Sequence, residues 1–291
     1  MTNPEFASNR DNFCYRHPDR QSFVLCQRCL RTICPECQTQ AAVGVVCPEC
    51  MAEQRQSASP AQKKAQRRWR GSGSVAVAGG KPVVTYTIMA VTAAVFVLQF
   101  LLGDVVRNAL GFYAGALYPQ LTGGSFEPWR LLTAALVHSS FWHVGLNMLA
   151  LWMIGRNLEP VLGRARFLVL YLLGALGGSV AVSLLAPNSF VVGASGAIFG
   201  LFGAFVIIAR HIGAEITGIL IVLGINLAIG FLPGVAISWQ AHVGGLVAGA
   251  VVGLVFARTR ERRRRPLQIG LLVGWTAVLV LLLLIPPVIY A

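Results

Sequence analysis

Charge is scarce in this chain. Charged residues make up 12% of it, about half the share of an ordinary globular protein, and 55% are hydrophobic. That balance points away from a soluble domain and toward a polytopic membrane protein. The first fifty residues lack any apolar h-region, so no signal peptide is expected and the head should face a reducing cytosol. Cysteine is missing after Cys50, and the seven that precede it cannot all pair as disulfides. Acids are missing from the apolar stretches. Glu159, Glu215 and Glu261 fall at the ends expected to be cytosolic, and Asp104 and Glu127 fall in the first outer loop. A buried carboxylate steering a catalytic histidine is therefore not expected. No H-E-x-x-H occurs either, which argues against an intramembrane zinc protease.

What is present divides into a head at 1–55, a basic linker at 56–81, an apolar body at 82–257 and a basic loop with a last apolar stretch at 258–291. The head carries ligand-type residues in pairs: CYRH (Cys14, His17), CQRC (Cys26, Cys29), CPEC (Cys34, Cys37) and CPEC (Cys47, Cys50). Two intervening residues let a pair of side chains clamp one tetrahedral zinc, and eight ligands make two closed, structural Zn2+ sites. The head resembles a B-box-type zinc finger. That resemblance implies interleaved pairs, with Cys14, His17, Cys34 and Cys37 on one ion and Cys26, Cys29, Cys47 and Cys50 on the other. A head of this kind implies an unidentified cytosolic protein partner. The linker segment QKKAQRRWRGSGS has one aromatic, Trp69. Beside a membrane span such a run anchors to anionic lipid rather than to nucleic acid, and no nucleic acid is expected.

Apolar stretches at 82–102, 131–155, 167–186, 192–209, 216–232, 239–257 and 267–285 predict seven membrane helices in an all-α fold. Lys and Arg gather in alternate loops: before the first span, at Arg156, Arg164 and Arg166, at Arg210, and in RTRERRRR. The loops PNSFVVG and FLPGVAIS carry no charge. The positive-inside rule then puts the N-terminus in the cytoplasm and the C-terminus outside a cell membrane. The first outer loop, 103–130, is apolar and aromatic, which suggests a segment lying in the interface.

Polar groups inside a bilayer are costly and draw attention as functional residues. His138, His143 and Asn147 lie in the second stretch, Ser195 opens the fourth, and His242 lies in the sixth. Counting back from Arg156, Arg210 and Arg258 places His143 about 20 Å, Ser195 about 22 Å and His242 about 24 Å above the cytosolic edge. Asn147 comes out at about 14 Å, on the same helix face as His143. Gly245, Gly249 and Gly253 follow His242 at four-residue spacing, and Gly196 and Gly200 follow Ser195. Such stripes let backbones approach closely in lipid. GASGA misses the G-x-S-x-G elbow at Ala197, which excludes a soluble α/β-hydrolase reading.

GASG, AHVGGLVAG, HSSFWHVGLN and the EPWR at 127–130 together resemble the rhomboid intramembrane serine proteases over about 85–257. The resemblance implies a six-helix core with Ser195 as nucleophile and His242 as general base. His143 and Asn147 would join the Ser195 amide in the oxyanion hole, and no cofactor would serve the chemistry. Substrates would be membrane-anchored proteins cut near the outer face. His138 is expected to point away from His143 on an ideal helix and to play a supporting or water-organising part. Gly193 and Gly196 support the serine, and Trp129 and Arg130 hold the first loop. The seventh span and the zinc head are additions to that core. Competing readings are a catalytically silent scaffold for membrane clients and a transporter with a regulatory head. The apolar lower halves of spans four and six argue against the transporter.

Overall fold

The computed structural model describes residues 9–40, 45–57, 81–212, 216–230 and 237–290. It comprises two compact units, Met1–Gly71 and Ser72–Ala291. The first has little regular structure. A hairpin bridges Leu25 to Thr32, β1 (Thr39–Gln40) pairs antiparallel with β2 (Val45–Val46), and helix α1 spans Pro48–Ser57. Its buried apolar cluster is Cys14, Cys26, Ile33, Cys34, Cys37, Val46, Cys47 and Cys50, so sulfur replaces the methyl groups of an ordinary core. So few apolar groups cannot hold a unit of this size, and small domains of this kind are held by metals or disulfides. Of the expected linker, residues 58–80 lie outside the described residues.

In the second unit the long helices are α2 (Val83–Leu102), α4 (Phe141–Leu162), α5 (Arg164–Leu185), α6 (Ser195–Ile212), α7 (Thr217–Ile229), α8 (Trp239–Arg258) and α9 (Arg265–Leu282), with the short α3 (Asp104–Leu110) following α2. Four segments, Val83–Leu102, Arg164–Leu185, Trp239–Arg258 and Arg265–Ile289, are long and apolar enough to cross a bilayer; Ser195–His211 and Thr217–Ile229 are shorter apolar helices. The chain is a mostly helical, multi-pass membrane protein. Helix α5 lies at the centre, with 67% of its apolar window buried, against 17% for α2 and 11% for α9 at the periphery.

Small residues decide how α5, α6 and α8 meet. A Cβ placed on Gly249 would lie 1.9 Å from the carbonyl oxygen of Gly200, and one on Gly245 would lie 2.0 Å from that of Gly196. One on Gly177 of α5 would lie 2.3 Å from Ala248 Cβ. These helices pack backbone against backbone, the arrangement lipid favours where no hydrophobic force drives association.

Two expectations need correction. The second span does not run over 131–155. Arg130–Thr133 is a single helical turn, Ala134–Leu136 is 3-10, and the membrane helix begins at Phe141 behind an N-cap in which the Ser140 hydroxyl accepts from His143 N–H. Residues 137–140 are extended or bent, so His138 is not on the helix at all. Apolar composition alone could not separate the dipping loop from the helix that follows it. The second correction concerns Glu159, expected in a cytosolic loop. It lies within α4, 2% exposed, and accepts from Val84 N (2.9 Å), Thr85 N (2.8 Å) and Thr85 Oγ1 (2.7 Å). Pro82 at the start of α2 offers no side-chain cap, and this carboxylate takes that office from a neighbouring helix. Gly155 lets α2 come that close, since a Cβ there would lie 2.5 Å from Thr85 Oγ1. Glu215 and residues 231–236 lie outside the described residues.

The segment 103–130 between α2 and the second span is folded onto the bundle. Phe112, Ala114, Leu117 and Tyr118 are buried, and Phe112 and Val191 exchange backbone hydrogen bonds at 2.9 and 2.8 Å. Tyr118 donates its hydroxyl to Leu283 O (2.8 Å) at the C-terminal end of α9, while Arg166 Nε donates to Gln268 Oε1 (2.9 Å) near the N-terminal end of that helix.

Candidate active site and metal clusters

Ser195 is the first residue of α6, delivered by an irregular segment tied down on both sides. Gly193 N–H donates to Ala134 O (2.9 Å), and Ala194 N–H donates to His138 Nε2 (3.3 Å). Gly193 has φ +120°, a conformation a side chain would strain, and a Cβ there would lie 2.7 Å from Cε1 and Nε2 of His143. The glycine before the serine is thus needed twice, for its backbone and for the imidazole resting on it.

Helix α8 brings His242. Gly245, three residues on, sits against the carbonyl of Gly196, one residue beyond Ser195. Phe199 shares a face of α6 with Ser195, one turn later, and its ring stacks on His242 at 4.1 Å and 11°. Ser195 and His242 therefore line one cavity, along with His143 and Asn147. Nδ1 of His242 is buried without a hydrogen-bond partner, so no carboxylate orients this ring through that nitrogen.

Hydrogen bonds assign the tautomers of the other two histidines. Ser139 N–H donates to His143 Nδ1 (3.4 Å) with Ser139 Oγ 3.0 Å from the same atom, which leaves the His143 proton on Nε2, the atom over Gly193. In His138, Nε2 accepts from Ala194, so the proton sits on Nδ1, which is buried and unpartnered. Its ring is 5.0 Å from that of His143, in a T-shaped contact. The expectation that His138 points away from His143 is overturned because it precedes the helix. Asn147 is 7% exposed and spends one amide N–H on His143 O (2.8 Å).

Arg130 is 7% exposed, ion-paired with Glu127, and donates to the carbonyls of Asn108 and Gly111 (2.7 Å to the latter). It ties the first loop together. Trp129 is half exposed and is not among the residues that line the cavity. Gln99 escaped the sequence reading. From the last turn of α2 its carboxamide accepts from His138 N–H (3.2 Å) and donates to His138 O, gripping both main-chain polar groups of that residue. A lone amide in an apolar span was the available signal.

The cavity measures about 1310 Å3, larger than the 300–1,000 Å3 of a typical small-molecule pocket. It runs along α4 from Trp142 to Asn157 and along α7 from Ile219 to Asn226. Such a trough between helices suits an extended or helical peptide better than a metabolite.

In the head, the ligand atoms of Cys14, His17, Cys34 and Cys37 lie within 4.8 Å of one another, as do those of Cys26, Cys29, Cys47 and Cys50. His17 Nδ1 is 3.8, 3.3 and 3.4 Å from the sulfurs of Cys14, Cys34 and Cys37. A tetrahedral zinc with ordinary bond lengths demands S···N separations of about 3.6 Å and S···S separations of about 3.8 Å. Cys29 and Cys47 sulfurs are 3.7 Å apart, far beyond a disulfide bond. Burial works against ionisation at Cys14 and Cys26, but neighbouring backbone N–H groups outweigh it and pull both thiols down to about 6. Burial pushes Cys37 up to about 11 and Cys50 up to about 12, with the adjacent thiols adding to the rise. A divalent cation removes that conflict, so both clusters fit a metal.

A half-buried serine and a buried histidine on adjoining helices of a multi-pass bundle line one peptide-sized trough. Residues 125–259 match the family model described as "Rhomboid domain". The chain is 35% identical over 210 residues to the Rhomboid protease GluP of Bacillus subtilis, covering 67% of this chain and 40% of that protein. It is 36% identical over 143 residues to the Putative rhomboid protease YdcA of the same organism, covering 47% and 71%. It is 39% identical over 150 residues to RHOMBOID-like protein 1 of Arabidopsis thaliana, covering 49% and 38%. The chain belongs to the rhomboid family. It spans about two-fifths of the length of several curated relatives it matches.

Proposed function

We propose that this chain is an intramembrane serine endopeptidase that cuts membrane-anchored proteins near the outer face of the bilayer with a Ser195–His242 dyad. The observation that carries this reading is the Gly196–Gly245 contact together with the Phe199 stack, which set the imidazole beside the first residue of α6. His242 takes the proton from Ser195 Oγ as the hydroxyl attacks the scissile carbonyl, then returns it to the leaving amine. The free N–H of Ser195 at the helix start, the Nε2–H of His143 and the second amide N–H of Asn147 are aimed to stabilise the oxyanion. His138, gripped by Gln99, holds the Ala194 amide and so the approach to the serine. The cytoplasmic N-terminus, the exterior C-terminus, the four-part domain division and the anionic-lipid contacts of the basic segments belong to the same reading.

A fluorophosphonate probe is expected to label the detergent-folded protein at one residue, and Ser195→Ala to abolish the label. A folded wild-type protein that resists labelling overturns the dyad and leaves a non-cleaving scaffold.

For the head we propose two structural Zn2+ ions and a role in binding a cytosolic protein. Purified protein is expected to carry two zinc ions per chain by atomic absorption and the Cys26→Ser variant one, because the clusters share no ligand. Equal content in the two proteins overturns the assignment.

A further inference from the structure

The trough has one permanent charge among its described lining residues. Arg107 lines it together with Ser195 and His242, and no Asp, Glu or Lys does so. Arg107 sits on α3, whose C-terminal end is fixed by Arg130 through the carbonyls of Asn108 and Gly111. Beyond that, the Phe112–Val191 pairing ties the same stretch to the strand of chain that reaches Ser195 four residues later. The guanidinium is therefore held in register with the serine rather than swinging on a free loop.

Its hydrogen bonding is incomplete. Nη2 pairs with Asp104 Oδ1 at 2.8 Å, and the Asp104 side chain is 71% exposed, so that contact is on the water side and readily exchanged. Nε is buried with no partner. A guanidinium with an unfilled Nε fits a carboxylate, which can take Nε and an Nη together in a planar two-bond pair. A backbone carbonyl could fill the Nε alone but would not answer the charge.

We propose that Arg107 is a specificity residue that reads an acidic side chain of the substrate close to the scissile bond, on its water-facing side. This inference rests on the endopeptidase reading of the same cavity. The helix interior of a substrate lies in the apolar part of the trough, and its juxtamembrane end passes Arg107 on the way to Ser195.

The test uses the full-length protein with single-span peptides of leucine and alanine. Their outer end carries an Ala-Ser segment flanked by Asp, Asn or Lys at each of the four positions on either side. Binding is measured by fluorescence anisotropy on the Ser195→Ala variant, so the answer does not depend on turnover. Cleavage is measured on protein with Ser195 intact, normalised to probe-labelled serine. At its best position the Asp peptide is expected to bind roughly tenfold tighter than the Lys peptide, with the gap shrinking as salt rises. Arg107→Glu should reverse the order in favour of Lys, a gain that misfolding cannot imitate; Arg107→Lys should keep the order with a smaller ratio. No binding of the Asp peptide, or a ratio that Arg107→Glu leaves unmoved, overturns the proposal. Preferential binding without cleavage overturns the endopeptidase reading and upholds Arg107. Equal cleavage of all three peptides does the opposite.

Discussion

Gly249→Val is expected to lower the melting temperature in detergent by about 10 °C or more and to abolish probe labelling at Ser195. The reason is geometric. Even the first carbon of a side chain at 249 would fall 1.9 Å from Gly200 O and 2.4 Å from Gly200 C and Cα. Overpacking in a core commonly costs about 1–3 kcal/mol because side chains move aside. Here the obstacle is main chain of a buried helix, so relief requires α8 to shift away from α6 and the cost reaches the top of that range or beyond. At about 2–4 °C per kcal/mol for a unit of this size, a shift of about 10 °C corresponds to a cost of about 2.5–5 kcal/mol. His242 rides on the same helix two turns above, so its stack on Phe199 is lost with the packing. Gly270→Val on α9 is the control, since no atom lies within 4 Å of its added carbon. A Gly249→Val protein that melts within 2 °C of wild type would show that the helices are not in backbone contact.

The second large effect is expected at His242. His242→Ala should reduce proteolysis about 10⁶-fold, leaving only the residual acceleration of about 10³- to 10⁴-fold over water that the oxyanion donors and substrate binding supply once the base is gone. Probe labelling should slow in parallel, because the probe also needs an activated Ser195. Stability should change far less than with Gly249→Val, as alanine keeps the helix and only the stacked ring is removed. Activity within tenfold of wild type would mean that Ser195 is activated by another group. His138→Ala is the natural comparison, since that ring is also buried nearby but bonds to Ala194 rather than facing Phe199.

Much of this site can be read from residue order because glycine and histidine spacing on a helix translates directly into height and face. The close packing of α8 on α6 follows from Gly196 and Gly245, whose spacing was visible. What spacing cannot reveal is where a helix starts within a continuous apolar run. Residues 131–140 are as apolar as the helix after them, yet they form a turn, a 3-10 segment and a bent approach. That misplacement turned the His138 ring the wrong way. Glu159 and Gln99 were hidden for a related reason. Each acts on the backbone of a distant segment, Glu159 on Val84 and Thr85 and Gln99 on His138, and nothing local marks a side chain for a partner many residues away. In the head the ligand-type residues themselves were visible as spaced pairs because they are also the core, whereas which pairs come together was implied only by the B-box resemblance.

The carboxylate of Glu159 has a mechanical consequence. Prising α2 from α4 at that end would strand an anion in apolar surroundings with three donors withdrawn, a penalty of several kcal/mol. That seam is riveted. The weaker seam is the far wall of the trough, where α7 buries a single side chain, Leu223.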